Sequence, residues 1–507
     1  MRLERLLSAI AVQDFHGSPG PEIKGIAYDS RDVRPGFLFV ALRGQRLDGH
    51  DYVKEAIQNG AVALIEEYDR GGKGIDAEAT TIKVKDSREA LSTLATTFYD
   101  RPFEGMNLIG ITGTNGKTTT SYLLESILLA AGAKPGVIGT INYRVSGHTW
   151  EAPVTTPESL DLMRMLRQMS DANVTDVILE VSSHALDQGR VRDCPFRVAI
   201  LTNISRDHLD YHGSMEEYAE AKGHLFQDLG KRVGHELTTA VINADDPRGK
   251  EFAALTDARV VTYGLKTGCD VSAEGLQLGR TGLSAQLITH AGEIGIRSPL
   301  IGDFNIYNIL AASAAALCMD ISLGAIASGI GRLKGVPGRL ELVKNKRSLA
   351  IVVDYAHTPD ALLKALGAVR SLVKGRLITI FGCGGDRDKG KRQEMGRVAS
   401  QLSDLIFITS DNPRTEDPAV IISQIEEGVR KAGAKKVVEL SRDQAERPGY
   451  VVELDRGNAI RRAVEIAYEG DLILIAGKGH EDYQIIGKDR RDFDDRKVAA
   501  DAASGDI

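Results

Sequence analysis

Short apolar runs alternate with polar and glycine-rich stretches along most of the chain. Met106–Ile111, Val174–Val181, Val198–Asn203 and Thr239–Asn243 are brief, largely aliphatic, and each gives way to polar residues. That pattern predicts strands buried on both faces. Between them lie helical patterns, of which Thr118–Ala131, with leucines and isoleucine at helical spacing, is one. Such alternation predicts a mostly parallel sheet with helices on both faces. Residues 260–300 break the rhythm with glycine-punctuated alternating segments, which predict a small antiparallel insertion. Beyond Gly335-Val-Pro-Gly338 the strand–helix rhythm restarts at Leu349–Val353, Leu377–Phe381, Leu405–Thr409 and Leu472–Ala476. The first hundred residues carry short strands such as Gly36–Ala41, then helical stretches at Val53–Gly60 and Ser87–Tyr99. The expected fold class is therefore α/β in three domains, 1–102, 103–335 and 336–507. The first is a small α/β unit, the second a P-loop-type parallel sheet, and the third a Rossmann-like unit.

Composition narrows this picture without changing it. A chain of 507 residues is too long for one core. No apolar run reaches the 18 residues a membrane span needs, and the first residues, with a Glu in the opening turn, lack a signal-peptide core. A net charge of −7 gives no general attraction to nucleic acid or anionic membrane. The four cysteines, Cys194, Cys269, Cys318 and Cys383, are widely spaced and form no metal or disulfide framework. A reducing cytoplasm is expected, with no nucleic-acid or membrane partner.

The strongest chemical signal is Gly110-Ile-Thr-Gly-Thr-Asn-Gly-Lys-Thr-Thr119, between a predicted strand and a predicted helix. Backbone N–H groups of Gly113, Thr114, Asn115 and Gly116 can close around phosphate oxygens at a helix N-terminus. Lys117 can reach the terminal phosphates, and the hydroxyls of Thr118 and Thr119 follow it, Thr118 being placed for magnesium. The generic loop has glycine where Ile111 stands, so this is a variant. Glu180 ends a second predicted strand and could hold magnesium directly or through water. A third ends in Thr202-Asn203-Ile-Ser-Arg206-Asp207-His208-Leu-Asp210-Tyr-His212. Two histidines there suggest zinc, but with no thiolate or third histidine nearby, magnesium with a contact from His208 is the better reading. Lys222, on a predicted helix, reads as a solvated side chain.

Gly-Thr-Asn-Gly-Lys-Thr-Thr, Glu-Val-Ser-Ser-His, Thr-Asn-Ile-x-Arg-Asp-His-Leu-Asp-Tyr-His-Gly and Asp354-Tyr-Ala-His357-Thr-Pro-Asp360 together resemble the Mur ligases of peptidoglycan synthesis. The resemblance runs nearly end to end and is greatest to the branch that adds diaminopimelate as third amino acid. It implies an ATP-dependent amide ligase with small-molecule substrates (ATP, a UDP-muramoyl dipeptide and meso-diaminopimelate), acting as a monomer. It implies that Lys222 is carbamylated and joins Thr118, Glu180 and His208 around Mg2+. It also implies that Asn305 and Arg339 meet the nucleotide, although Phe304 stands where some relatives have His. Lys117 would serve catalysis, with Asp354 and His357 as candidates for the base that deprotonates the amine. Ser30 would contact the UDP portion, with Arg46 and Asp48 as neighbouring candidates. Thr155, Thr156, Ser182, Gln188 and Arg190 would contact the muramoyl dipeptide, Val154 standing where a relative can carry Asn. The amino acid would be read by Arg387, by Asp411-Asn412-Pro413-Arg414, and by Gly477 and Glu481. Arg414 would grip the distal carboxylate, which lysine lacks, and Glu481 the distal ammonium. Three alternatives remain open here: a lysine-adding ligase, a folylpolyglutamate synthase, and an NTPase switch with no acyl acceptor.

Overall fold

The computed structural model describes residues 1–44, 47–67, 79–145, 147–231, 238–279, 281–437, 440 and 448–504. Three sheets organise them. The N-terminal sheet has five strands in the order Val12–His16, Thr80–Val84, Ala61–Glu67, Phe37–Val40 and Gly25–Ala27, parallel except for the first.

The central sheet has eleven strands. Its parallel middle runs Arg259–Tyr263, Thr239–Asn243, Phe196–Leu201, Asn107–Thr112, Asp176–Glu180 and Pro135–Ile138. The strands Thr239–Asn243 and Asp176–Glu180 are buried at every position, which is why they read as unbroken apolar runs and not as alternations. One face is covered by the P-loop helix Lys117–Ala130, by Asn305–Leu317 and by Leu323–Arg332, whose Leu123, Ile127, Ile309 and Ile326 share one apolar cluster. The other face, with Ser159–Asp171 and Met215–Gln227, merges with the core of the N-terminal sheet: Leu91 and Leu94 lie in one cluster with Leu162, Leu166 and Phe226.

One stretch accords with the sequence reading and another departs from it. The expected antiparallel segments are the strands Val271–Gly279, Gly282–Thr289 and Gly292–Ser298, which extend the central sheet. At the opposite edge, Pro135–Ile138, Asn142–Val145 and His148–Glu151 were not foreseen, so the strand bearing Glu180 is fifth, not second, in this sheet's chain order. The outermost of these is exposed at all four positions and carries no apolar periodicity to betray it.

The third sheet runs Glu341–Leu342, Ala350–Asp354, Leu472–Ala476, Leu377–Phe381, Leu405–Ile408, Gly449–Val452 and Lys435–Lys436, parallel apart from the first. Beside it lies a two-stranded hairpin, Tyr483–Ile486 with Asp489–Asp492, likewise not foreseen. In the central sheet the strand Asn107–Thr112 is flanked by strands that follow it in sequence on either side. Its end is level with Glu180 and Leu201, so three strand termini open onto one crevice at a topological switch point.

Candidate active site

Gly113 and Gly116 take φ of 137° and 90°, a backbone region in which a side chain would be strained. A Cβ on Gly113 would strike Thr202 and Asn203, and one on Gly116 would strike Asn308. The loop is thus pressed onto the neighbouring strand end and onto the helix Asn305–Leu317. Lys117 folds back over the loop, its Nζ donating to the carbonyls of Gly113 at 2.8 Å and Thr114 at 2.9 Å. Loss of water around this ammonium lowers its pKa, with Glu180 opposing the shift.

Glu180 is 1% exposed and gathers oxygen donors. Its Oε2 accepts from Thr118 Oγ1 at 2.9 Å and Thr140 Oγ1 at 2.8 Å, and its Oε1 from the Thr140 amide at 3.2 Å. A buried carboxylate held by hydroxyls and an amide, with no arginine or lysine bonded to it among the described residues, suits a hard cation such as magnesium. Among the described residues no cluster of three or more His, Cys, Asp or Glu is arranged to hold a metal.

Lys222 is not solvated: it is 1% exposed, donates to the Gly113 carbonyl at 3.0 Å and lies 4.7 Å from the Tyr218 ring centre. Burial, and then the nearby Lys117, push its pKa well below the ordinary lysine value. The amine is therefore held toward the neutral, nucleophilic form that carbamylation by CO2 requires. A third histidine is also present. His184 packs edge-on against His208 at 4.9 Å and against His212 at 5.5 Å. Burial and these neighbours lower His184 to about 4, and burial lowers His208. The sequence separation of 24 residues between His184 and His208 hid this cluster.

From the third domain, Arg339 Nη2 reaches Thr118 Oγ1 at 3.4 Å, with its guanidinium 4.7 Å from the Tyr355 ring centre. Asp354 does not face the site as a free base. Its two oxygens accept the amides of Leu340 and Ala356, each at 2.8 Å, which anchors the turn carrying Arg339. Burial raises its pKa. His357 keeps an open nitrogen: its Nδ1 donates to the Tyr355 carbonyl at 2.9 Å, leaving Nε2 as an acceptor on a ring whose pKa burial lowers. Asn305 is 3% exposed and turned inward, donating to the Ile301 carbonyl at 2.7 Å and accepting from Asn308 at 2.8 Å. It meets the P-loop through Asn308, a residue the sequence reading missed.

Thr155, Thr156, Ser182, Gln188 and Arg190 come together at the edge of this crevice. Thr156 Oγ1 donates to the Glu180 carbonyl at 2.8 Å and accepts the Ser182 amide at 3.0 Å. Arg190 donates to the Thr156 carbonyl at 2.9 Å and to Gln188 Oε1 at 2.6 Å, and Thr155 meets Thr140 at 3.2 Å. Ser30 lies in the N-terminal domain, 5% exposed, opening a short turn capped by Asp29. Asp48 caps another through His50, while Arg46 lies outside the described residues.

In the third domain, Arg414 takes φ of 51° and its Nη1 donates to the Gly385 carbonyl at 2.9 Å. Gly384 leaves room between it and Arg387: a Cβ there would lie 2.9 Å from Arg414 Nη1 and 3.9 Å from Arg387 Cγ. Among the described residues Arg387 bonds only its neighbour's carbonyl, at 3.4 Å. Among the described residues neither guanidinium has a carboxylate within ion-pairing distance. Gly477, at φ of 112°, sits against Asp411, where a Cβ would lie 2.5 Å from Oδ2. Glu481 already has a cation: Lys478 Nζ, 2.9 Å from its Oε2, with Asn412 Nδ2 donating to the same oxygen at 2.9 Å. Pro413 fixes the backbone between Asn412 and Arg414.

Fold and site together define a three-domain α/β enzyme with a P-loop crevice between its second and third domains. Family models match as the Mur ligase family catalytic domain over residues 22–99, the Mur ligase middle domain over 111–316, and the Mur ligase glutamate ligase domain over 338–479. The chain is 47% identical over 505 residues to a UDP-N-acetylmuramoyl-L-alanyl-D-glutamate–2,6-diaminopimelate ligase of Geobacter metallireducens, covering 99% of this chain and 98% of that one. It is 43% identical to the protein of the same name from Bacillus licheniformis, covering 98% of each. A solved structure of that name superposes with a TM-score of 0.66 at 33% identity, over 95% of this chain and 94% of the other. The chain belongs to the Mur ligase family.

Proposed function

We propose that the protein joins 2,6-diaminopimelate to UDP-N-acetylmuramoyl-L-alanyl-D-glutamate, with ATP cleaved to ADP and phosphate. The observation that carries the choice of amino acid is the pair Arg414 and Arg387: two guanidiniums around Gly384, neither matched by a carboxylate among the described residues. A guanidinium in that state is made for a carboxylate from outside. Diaminopimelate brings one at each end, and lysine lacks the distal one.

The glutamyl carboxylate is a poor electrophile, and transfer of the γ-phosphoryl group turns it into an acyl phosphate with a good leaving group. Lys117, released from its loop carbonyls, and Arg339 face the phosphates and offset the charge that gathers there. Thr118, Glu180, His208 and carbamylated Lys222 would hold Mg2+, which supplies further charge neutralisation when bound. Thr155, Thr156, Ser182, Gln188 and Arg190 orient the muramoyl dipeptide, and Ser30 its uridine end. The amine of the incoming amino acid attacks the acyl carbon and phosphate departs. His357 Nε2, an acceptor on a neutral ring, is better suited than Asp354 to receive the amine's proton.

Phosphate release from ATP should depend strictly on both the UDP-muramoyl dipeptide and diaminopimelate, with lysine a poor substitute. Arg414→Ala should weaken use of diaminopimelate by about 1.5–3 kcal/mol, roughly 10- to 150-fold in kcat/KM. Near-normal kinetics in that variant would remove Arg414 from the site.

A further inference from the structure

Lys478 is fully buried, yet neither the nucleotide site nor the two-arginine clamp accounts for it. An ammonium withdrawn from water is costly unless it is paired and hydrogen-bonded. Here it closes a small ring. Lys478 Nζ donates to Asn412 Oδ1 at 3.1 Å and to Glu481 Oε2 at 2.9 Å, while Asn412 Nδ2 donates to the same Glu481 oxygen at 2.9 Å. Asn412 is itself locked, since its Oδ1 also accepts the Ile485 amide at 2.9 Å. Both donors thus converge on Oε2. Among the described residues Glu481 Oε1 has no hydrogen-bond partner, and the side chain keeps 15% of its surface exposed. The ring fixes which oxygen is consumed and which is left for a ligand.

Charge makes the same point. Glu481 and Asp411 both bear on Tyr355, so two carboxylates crowd the end of the strand Leu472–Ala476. Unopposed, they would form a general cation trap, as ready for the end of a lysine as for the zwitterionic end of a diamino diacid. Lys478 cancels one of those charges without covering Oε1. We infer that Lys478 is a specificity-positioning residue. It orients Glu481 toward the distal ammonium and trims the local negative charge, so that an amino acid is retained only when its distal carboxylate also meets the arginines. This rests on the reading of Glu481 and Arg414 as the amino-acid site.

The test is steady-state kinetics of the full-length protein carrying Lys478→Met, Glu481→Gln or both, with ATP, UDP-muramoyl dipeptide and either meso-diaminopimelate or L-lysine. Lys478→Met should raise KM for diaminopimelate 10-fold or more, leave KM for ATP and the UDP substrate within 2-fold, and lower the preference for diaminopimelate over lysine at least 10-fold. Adding Lys478→Met to Glu481→Gln should have little further effect, because the residue acts through that carboxylate. If Lys478→Met is unfolded by thermal melting, the double variant compared with Glu481→Gln gives the same answer. There a further 10-fold rise in KM would overturn the proposal. Equal rises in all three KM values, or an unchanged preference in Lys478→Met, would overturn it as well. If Glu481→Gln itself leaves the KM for diaminopimelate unchanged, the amino-acid site reading fails instead.

Discussion

At the scale of single residues, the site is built from polar groups that burial has pushed off their ordinary protonation. His480 shows how such a group sets a pH limit. Its ring lies 5.2 Å from that of Tyr355, its Nδ1 is buried without a partner, and Arg339, Arg496 and Lys478 stand near it. Burial first, and then those cations, lower its pKa from the ordinary 6.5 to about 3. Above pH 6.5 the ring is neutral whether the chain is folded or not, and its contribution to stability is fully present. Below 6.5 the unfolded chain takes up a proton that the folded one refuses, so stability falls until about pH 3. The slope approaches about 1.4 kcal/mol per pH unit for one such group. His480→Gln should therefore flatten the acid side of a plot of unfolding free energy against pH, whatever it does to stability at pH 7. Parallel profiles for the two proteins between pH 6 and 4 would show that His480 titrates normally.

Elements place these residues, and helix crossings do much of the placing. The helices Lys391–Leu402 and Pro418–Lys431 meet where Gly396 faces the Ile425 carbonyl and Gly428 faces the Gln393 carbonyl, too close for any Cβ. That approach seats Arg392, which is fully buried, so that it clamps Glu416 at 2.9 and 3.0 Å and also reaches the Gly384 carbonyl at 3.3 Å. Gly384 separates the two arginines of the clamp. Gly428→Ala should then cost about 1–3 kcal/mol of stability by overpacking. It should also raise KM for diaminopimelate more than KM for ATP, although it lies on a helix far along the chain from Arg414. A drop in melting temperature with all KM values unchanged would separate the crossing from the clamp. The hydrophobic pattern made the parallel strands of the second and third sheets legible because they are buried on both faces. It missed the short strands between Pro135 and Glu151, of which Pro135–Ile138 is buried but only four residues long and His148–Glu151 is exposed throughout, and the half-exposed to exposed hairpin at Tyr483–Asp492. The P-loop was legible because its glycines and lysine are local in sequence. Asn308, Lys478 and the third histidine were not, since each acquires its role only when distant segments meet. Lys222 read as solvated for the same reason: nothing on its own helix reveals that Gly113 lies over it.

At the scale of the whole molecule, chemistry needs the second and third domains to face each other, and the structure shows them doing so through the apolar seat of Ile301 and Phe304 on the third domain and through polar contacts at the P-loop. Asp360, at the start of the helix Pro359–Arg370, offers one oxygen to three donors: Asn115 Nδ2 at 3.3 Å, Ser205 Oγ at 3.1 Å and its own helix's Lys364 at 2.8 Å. Two of those donors are on or beside the P-loop. Arg339 crosses to Thr118, and at the far edge Arg490 of the terminal hairpin pairs with Glu151 at 2.6 Å. The Arg490 pair is exposed on both sides and contributes little to holding the domains, within about 0–1 kcal/mol. Asp360 is better placed, since it rests directly on the loop that ATP must enter. A contact there would couple closure to occupancy of the P-loop: an empty loop leaves Asn115 and Ser205 to Asp360, and on the proposed site a filled one would add Arg339 to the phosphates. Asp360→Ala removes the contact that rests directly on the P-loop side of the crevice and leaves Arg339 on Thr118. The ligand-free variant should therefore sample open arrangements, with a larger radius of gyration by small-angle X-ray scattering than the parent. ATP together with the UDP substrate should restore the compact form. KM for ATP should rise severalfold while KM for diaminopimelate changes less, because the loop proposed to bind the amino acid lies within one domain. Identical scattering for parent and variant without ligands would mean that Asp360 is not what holds the crevice closed.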